Sequence, residues 1–291
     1  ARDYADLMLQ ELRKVIPSFL ERVDREDRGG VWSEYLGDTR ENIAELVGAL
    51  FPEGTVADPA PLVRLVDFDP DAEVKMVASM MYASSHLPEE QLERRVAAMS
   101  SDDRMAVVKA YVGDRANRRH KPGRALERPF YRFDVLVDYG AFRDLQRHRM
   151  MTIDWQQLSP YHGYTRPELI DAAGMTDRFD DAMQRSADLH DALMEDFPDQ
   201  APYAVSLAYK IRFNMNLNAR EAMHLIELRT TPAGHPSYRQ VGQEMHRLIA
   251  EEAGHHAVAE MMTFVDHSPE TDLERLQSER LAESRRAQNL S

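Results

Sequence analysis

The chain has 291 residues, 30% of them charged, and no cysteine; this excludes a disulfide framework, a thiolate metal site and a cysteine nucleophile, and points to the cytoplasm. A formal net charge of −14 excludes a general affinity for nucleic acid or anionic membranes, because a surface that tracks phosphates needs a basic face. The longest apolar runs are a few residues broken by charges, far short of the roughly twenty that span a bilayer.

Residues Ala1 to Asp6 lack the apolar core of a signal peptide, and the absent initiator methionine reads as a fragment or a processed product. From Tyr4 to Val23 apolar residues recur at helical spacing, with Pro17 expected to kink or break the helix. A Gly29-Gly30 break leads to a second helix over about Trp32 to Phe51. The loop from Pro52 to Pro61 carries three prolines and a glycine and is the best candidate boundary. The expected organisation is a helical extension or linker over 1–58, a main domain over 59–268 and a charged tail over 269–291.

Val63 to Phe68 reads as a strand, and Asp69-Pro70-Asp71 caps a helix running to about Ala83. Leu87-Pro88 and Ser100-Ser101-Asp102 begin two more helices, the second ending near Gly113. Residues 130–139 change to a period of two: Tyr131, Phe133, Val135, Val137 and Tyr139 face one way, Arg132, Asp134 and Asp138 the other, as in a half-buried strand. After Gly140, helical spacing returns over Ala141 to Met151. It puts Arg143 and Arg147 one turn apart and the run Arg147-His148-Arg149 on a helix that follows a strand. Further helices are predicted over about Pro167 to Ala173, Phe179 to Phe197, Ala201 to Asn214, Ala219 to Leu228 and Ser237 to Val265, with a frayed charged tail after Ser268.

The Arg-His-Arg run is the most informative feature, because it gathers cations in an acidic chain and so implies a local site for a phosphorylated or otherwise anionic ligand; the alternative is a solvated helix face. Asn218, Arg220 and Arg229 lie on one later helix. Arg220 and Arg229 are about two and a half turns apart, hence on different faces, and the planar guanidinium fork binds phosphate or carboxylate with two parallel hydrogen bonds.

A competing pattern is Glu-x-x-His, present at Glu221/His224 and Glu252/His255. Ferritin-like di-metal bundles use two such motifs plus inward glutamates on other helices, and Glu168 and Glu195 are the candidates for these. The bland reading puts His255-His256 on a solvated face. No Gly-x-Ser-x-Gly, Gly-x-Gly-x-x-Gly or Walker sequence is present. The sixteen methionines, among them Met80, Met81, Met150, Met151, Met261 and Met262, read as core filler.

From about Val63 to Met261 the chain resembles the flavin-dependent thymidylate synthases, the ThyX family. The likeness rests on the strand-helix unit ending in Arg147-His148-Arg149 and on the segment from Asn218 through Arg220, Glu221 and His224 to Leu228-Arg229, in that order and at that separation. The resemblance implies an α+β fold with helices packed on a mainly antiparallel sheet, here with extra N-terminal helices. It also implies a homotetramer with active sites at subunit interfaces. FAD would be held by Arg147, His148, Arg149, Asn218, Arg220 and His224. NADPH and methylenetetrahydrofolate would be co-substrates for conversion of dUMP to dTMP, with no enzyme nucleophile and no metal. Arg229 would match the catalytic arginine that holds the uracil, with Arg143 and Ser159 as further substrate contacts.

The departures fall on the nucleotide side. Nine residues rather than seven separate Arg149 from Ser159, Asp144 stands where the family has glutamine, and Pro202 falls where it has arginine. The expectation is therefore a diverged ThyX-like flavoprotein, or one half of a tandem synthase whose partner domain supplies the missing contacts. A non-catalytic ThyX-fold assembly domain and a di-metal helical bundle are the alternatives.

Overall fold

The computed structural model describes residues 2–51, 54–268 and 274–289, and the chain divides into two compact units, Ala1–Pro59 and Ala60–Ser291. In the first unit, α1 (Arg2–Val15) and the short α2 (Pro17–Leu20) are separated at Ile16, because the residue before a proline is pushed out of helical geometry. Gly29 takes φ +65°, a conformation open to glycine, and the chain then enters α3 (Gly30–Leu50). None of the described residues of α1, α2 or α3 is buried.

The second unit is α+β, as expected. It contains β1 (Val63–Phe68), α4 (Ala72–Tyr82), α5 (Glu89–Ala97), α6 (Ser101–Val112), β2 (Phe130–Asp138), α7 (Tyr139–Leu145) and β3 (Met151–Trp155). These are followed by α8 (Glu168–Ala172), α9 (Thr176–Asp196), β4 (Lys210–Asn218), α10 (Ala219–Arg229), α11 (Pro236–Glu251), α12 (His256–Glu260) and α13 (Glu274–Asn289). The strands form one antiparallel sheet in the order β1-β2-β4-β3. On the central pair Tyr131 lies opposite Leu217, Phe133 opposite Met215, Val135 opposite Phe213 and Val137 opposite Ile211. All eight are buried, in one core with Met76 of α4, Leu225 and Ile226 of α10 and Met245 of α11. Burying each such side chain stabilises the fold by about 1.5–3 kcal/mol.

Several expected elements differ. The segment predicted as a helix over Ala201 to Asn214 is a 3-10 turn (Ala201–Ala204) followed by β4. Ile211, Phe213, Met215 and Leu217 alternate with polar residues, and pairing with β2 decides between the two periods. The helix expected over Ala141 to Met151 stops at Leu145. Arg147, His148 and Arg149 therefore sit in the turn and extended connection that lead into edge strand β3, not on a helix. The long helix expected over Ser237 to Val265 breaks after Glu251. There Gly254 takes φ +69°, a left-handed helix ending, and the His255 N–H donates to the Ile249 carbonyl at 3.0 Å.

His255, read as lying on a solvated face, is buried, with its Nδ1 2.8 Å from the Tyr131 hydroxyl. Of the six methionines named above, Met80, Met261 and Met262 are buried and Met81 and Met151 pack against the core, while Met150 is exposed. Within the charged C-terminal segment Glu274–Asn289 is helical; residues 269–273, 290 and 291 lie outside the described residues.

Candidate functional site

Strand β4 runs directly into α10, and Asn218 is the hinge between them. Its side-chain oxygen accepts the Glu221 N–H at 2.9 Å, satisfying one of the donors left open at a helix start. One turn further on, the Glu221 carboxylate is buried between two imidazoles. Oε1 lies 2.9 Å from His148 Nδ1, and Oε2 lies 3.4 Å from His224 Nδ1. Burial pushes the Glu221 carboxyl up, but the hydrogen bonds from His148 and His224 outweigh it and hold the group at about 2.

Arg229, two turns along α10 from Glu221, closes the other side of His148. Its Nε donates to His148 Nε2 at 3.2 Å. That ring nitrogen must therefore carry a lone pair, and the ring proton sits on Nδ1, facing Glu221. The remaining guanidinium nitrogens of Arg229 turn to Asp144 at the end of α7: Nη1 lies 3.3 Å from the carboxylate and Nη2 donates to the backbone carbonyl. Arg229 also lies over the Tyr238 ring, 5.2 Å from its centroid. Asp144 additionally faces Arg147 Nη1 at 3.4 Å.

Of the residues singled out from sequence, the fold thus brings together His148, His224 and Arg229, with Arg147 joined to them through Asp144. Arg149 is exposed beyond them, and Arg143 is exposed with its guanidinium 5.7 Å from the Tyr139 ring centroid. Arg220 does not join the group. It donates from Nε to the Pro122 carbonyl at 3.1 Å, with Nη1 3.6 Å from Glu127. Ser159 is half-buried in the loop after β3. In the sequence Glu221 stands as half of a metal motif and inside the family-like segment with no role of its own, although an asparagine followed three residues later by glutamate is a helix-start signature.

His148, Glu221 and His224 are the one group among the described residues with donors close enough to share a metal ion, all within 4.8 Å. The three side chains already satisfy one another, and His148 Nε2 is taken by Arg229. The di-metal bundle is overturned: the fold is built on a sheet, Glu252, His255, Glu168 and Glu195 are absent from that group, and His255 is engaged with Tyr131. A groove of about 650 Å³, lined by Leu62, Val63 and residues of α11 with His267, includes none of His148, Glu221, His224, Arg229 and Asp144.

Residues 64–265 match the model of the Thy1 family, described as thymidylate synthase complementing protein. The chain is 36% identical over 282 residues to a UPF0159 protein of Chlamydia pneumoniae, covering 96% of this chain and 52% of that protein. It is 34% identical over 281 residues to a UPF0159 protein of Chlamydia muridarum, again covering 96% and 52%. The chain therefore spans about half the length of these curated relatives. It is 27% identical over 191 residues to a flavin-dependent thymidylate synthase of Geobacter sulfurreducens, covering 62% of this chain and 78% of that protein. A solved structure described as a UMP/dUMP methylase PolB from Streptomyces cacaoi bound with 5-Br dUMP is similar with a TM-score of 0.48 at 16% identity, covering 67% of this chain and 93% of that one.

Proposed function

We propose, from the premise that this chain belongs to the thymidylate synthase complementing protein family, that it is a diverged flavin-dependent thymidylate synthase-like protein. In this reading it binds FAD and works, in the cytoplasm, with a second ThyX-like domain or a second copy on dUMP or a related uracil nucleotide. The observation that carries the reading is the run of contacts inside the matched stretch from His224 through the buried Glu221 carboxylate to His148 and on to Arg229.

The exposed guanidinium groups of Arg147 and Arg149 suit the pyrophosphate of a dinucleotide, which two planar forks can hold with charge-assisted hydrogen bonds. His148, held at both ring nitrogens, is a fixed wall beside them rather than a free donor. Bound FAD, with NADPH as reductant and methylenetetrahydrofolate as carbon donor, supplies the redox and one-carbon chemistry. Arg229 is the cation that would stabilise an ionised uracil and raise electron density at C5.

In this chain Arg229 is already engaged by Asp144, so nucleotide binding by the chain alone is weak and the missing contacts come from the partner domain. The half-length match to the chlamydial relatives supports a tandem arrangement. The same neutralised Arg229 favours a second reading, a non-catalytic assembly domain of this fold.

The test is the visible absorption spectrum of the purified protein, repeated after adding FAD and again during titration with dUMP. Bound-flavin bands that the nucleotide perturbs only weakly support the reading. A colourless protein that neither binds FAD nor quenches its fluorescence leaves the assembly domain.

A further inference from the structure

Helix α3 carries an apolar seam with no cover. Trp32, Leu36, Thr39, Ile43, Leu46 and Leu50 follow one another at intervals of four, three, four, three and four residues, the 3.5-residue period of helices that wrap around a partner helix. Trp32 is 62% exposed, Ile43 58%, Leu46 56% and Leu50 74%. Leu36 is half-buried and Thr39 is polar; a seam that alternates so regularly and leaves its other four apolar side chains exposed is half of a helix–helix interface.

We propose that this seam is a self-association surface, and that its occupant is α3 of a second copy of this chain. Charge placement selects that occupant. The helix is acidic, yet its four carboxylates, Glu34, Asp38, Glu41 and Glu45, fall at the two heptad positions farthest from the seam. The positions beside the seam hold Ser33, Tyr35, Arg40, Asn42, Val47 and Ala49. Two copies can therefore meet without facing like charges, which in a coiled coil are set by those flanking positions. A polar face with four acids and one arginine is the reverse of the Lys/Arg-rich face that binds anionic bilayers. With Tyr35 and Val47 beside it, the seam offers on the order of 700 Å² per copy, close to the roughly 800 Å² per partner of a standard interface. The surface lies outside the stretch matched by the family, residues 64–265, and is independent of the flavin reading.

The chain has no cysteine, so single cysteines introduced into the full chain report this contact without background. Ile43→Cys and Leu50→Cys on the seam, and Glu41→Cys and Glu45→Cys on the outer face, are treated with a short bismaleimide cross-linker and run on a denaturing gel. At least one seam variant is expected to give a covalent dimer at five-fold or greater yield over the outer variants. Adding Leu46→Glu, at an exposed position that no fold requires, is expected to abolish that dimer. The idea is overturned if outer and seam positions cross-link equally, if neither does, or if Leu46→Glu leaves the yield unchanged. Co-sedimentation of the unmodified chain with phosphatidylcholine–phosphatidylglycerol vesicles, lost in Leu46→Glu, would overturn it in favour of a membrane surface.

Discussion

Arg115 and Glu227 form a two-pronged ion pair, 2.6 Å on each prong, with the arginine side chain 3% and the glutamate 1% exposed. The pair ties the connection after α6 to α10, the helix that carries Glu221, His224 and Arg229. It also reaches the C-terminal segment, because Arg115 donates to the Met261 carbonyl at 2.9 Å and the Phe264 N–H donates to Glu227 at 3.3 Å. Removing one partner strands a buried charge, at a cost of about 3–5 kcal/mol, whereas replacing both with apolar side chains of similar volume costs far less. Glu227→Ala is therefore expected to lower the unfolding free energy in urea by about that amount, and Arg115→Met/Glu227→Leu by well under half of it. A loss below about 1 kcal/mol for Glu227→Ala would show that water reaches the pair.

Asp144 should govern nucleotide affinity through Arg229. Its carboxylate faces both Arg229 and Arg147, at 3.3 and 3.4 Å, and so cancels charge that a uridylate would otherwise meet. Asp144→Asn keeps the size and one acceptor while removing the negative charge. It is expected to tighten dUMP binding about tenfold or more, equivalent to about 1.4 kcal/mol, as measured by calorimetry. Unchanged affinity in a variant of unchanged thermal stability would mean that Arg229 plays no part in binding the nucleotide.

Local signals fixed much of this in advance. The bounds of β1, the alternation of β2 and the Ser100 cap of α6, whose hydroxyl accepts the Asp103 N–H, each depend on residues close in sequence. Strand β4 was hidden because Ile211, Phe213, Met215 and Leu217 sit in a run that a helix could also bury, and only pairing with β2 makes the choice. His148, His224 and Arg229 were legible from motif likeness. Glu221 and Asp144 acquire their roles through partners 73 and 85 residues away in sequence, and no local pattern encodes such convergence.

The Glu221 carboxyl gives the site a predictable acid limb. Burial pushes it up and the two histidine hydrogen bonds bring it down further, for a net fall from 4.5 to about 2. The folded value lies below the unfolded one, so the contribution is fully present above about pH 4.5 and is lost as pH falls towards 2, in total about 3 kcal/mol. The difference in unfolding free energy between the natural chain and Glu221→Gln is expected to be largest near neutrality and to shrink from pH 5 to pH 3. A difference constant across that range would mean that the carboxylate is not selectively stabilised in the fold.

A second pH dependence, of the same sign but at higher pH, should come from buried histidine. Burial lowers His255, and the nearby Glu73 carboxylate and the Asp69 and Pro70 carbonyls oppose this without reversing it. Burial also lowers His246, whose Nε2 donates to the Ala259 carbonyl at 3.1 Å while His267 adds a repulsive neighbour. In each case the unfolded chain binds the proton more readily than the folded one, so stability is complete above about pH 6.5 and falls as pH drops through the folded values. The melting temperature is therefore expected to decline between pH 7.5 and pH 5.5, above the range where Glu221 acts. In His246→Gln/His255→Gln the decline should flatten, even though the double variant starts lower, because glutamine cannot take up the proton. A double variant that keeps the slope of the natural chain would assign the decline to the exposed histidines instead.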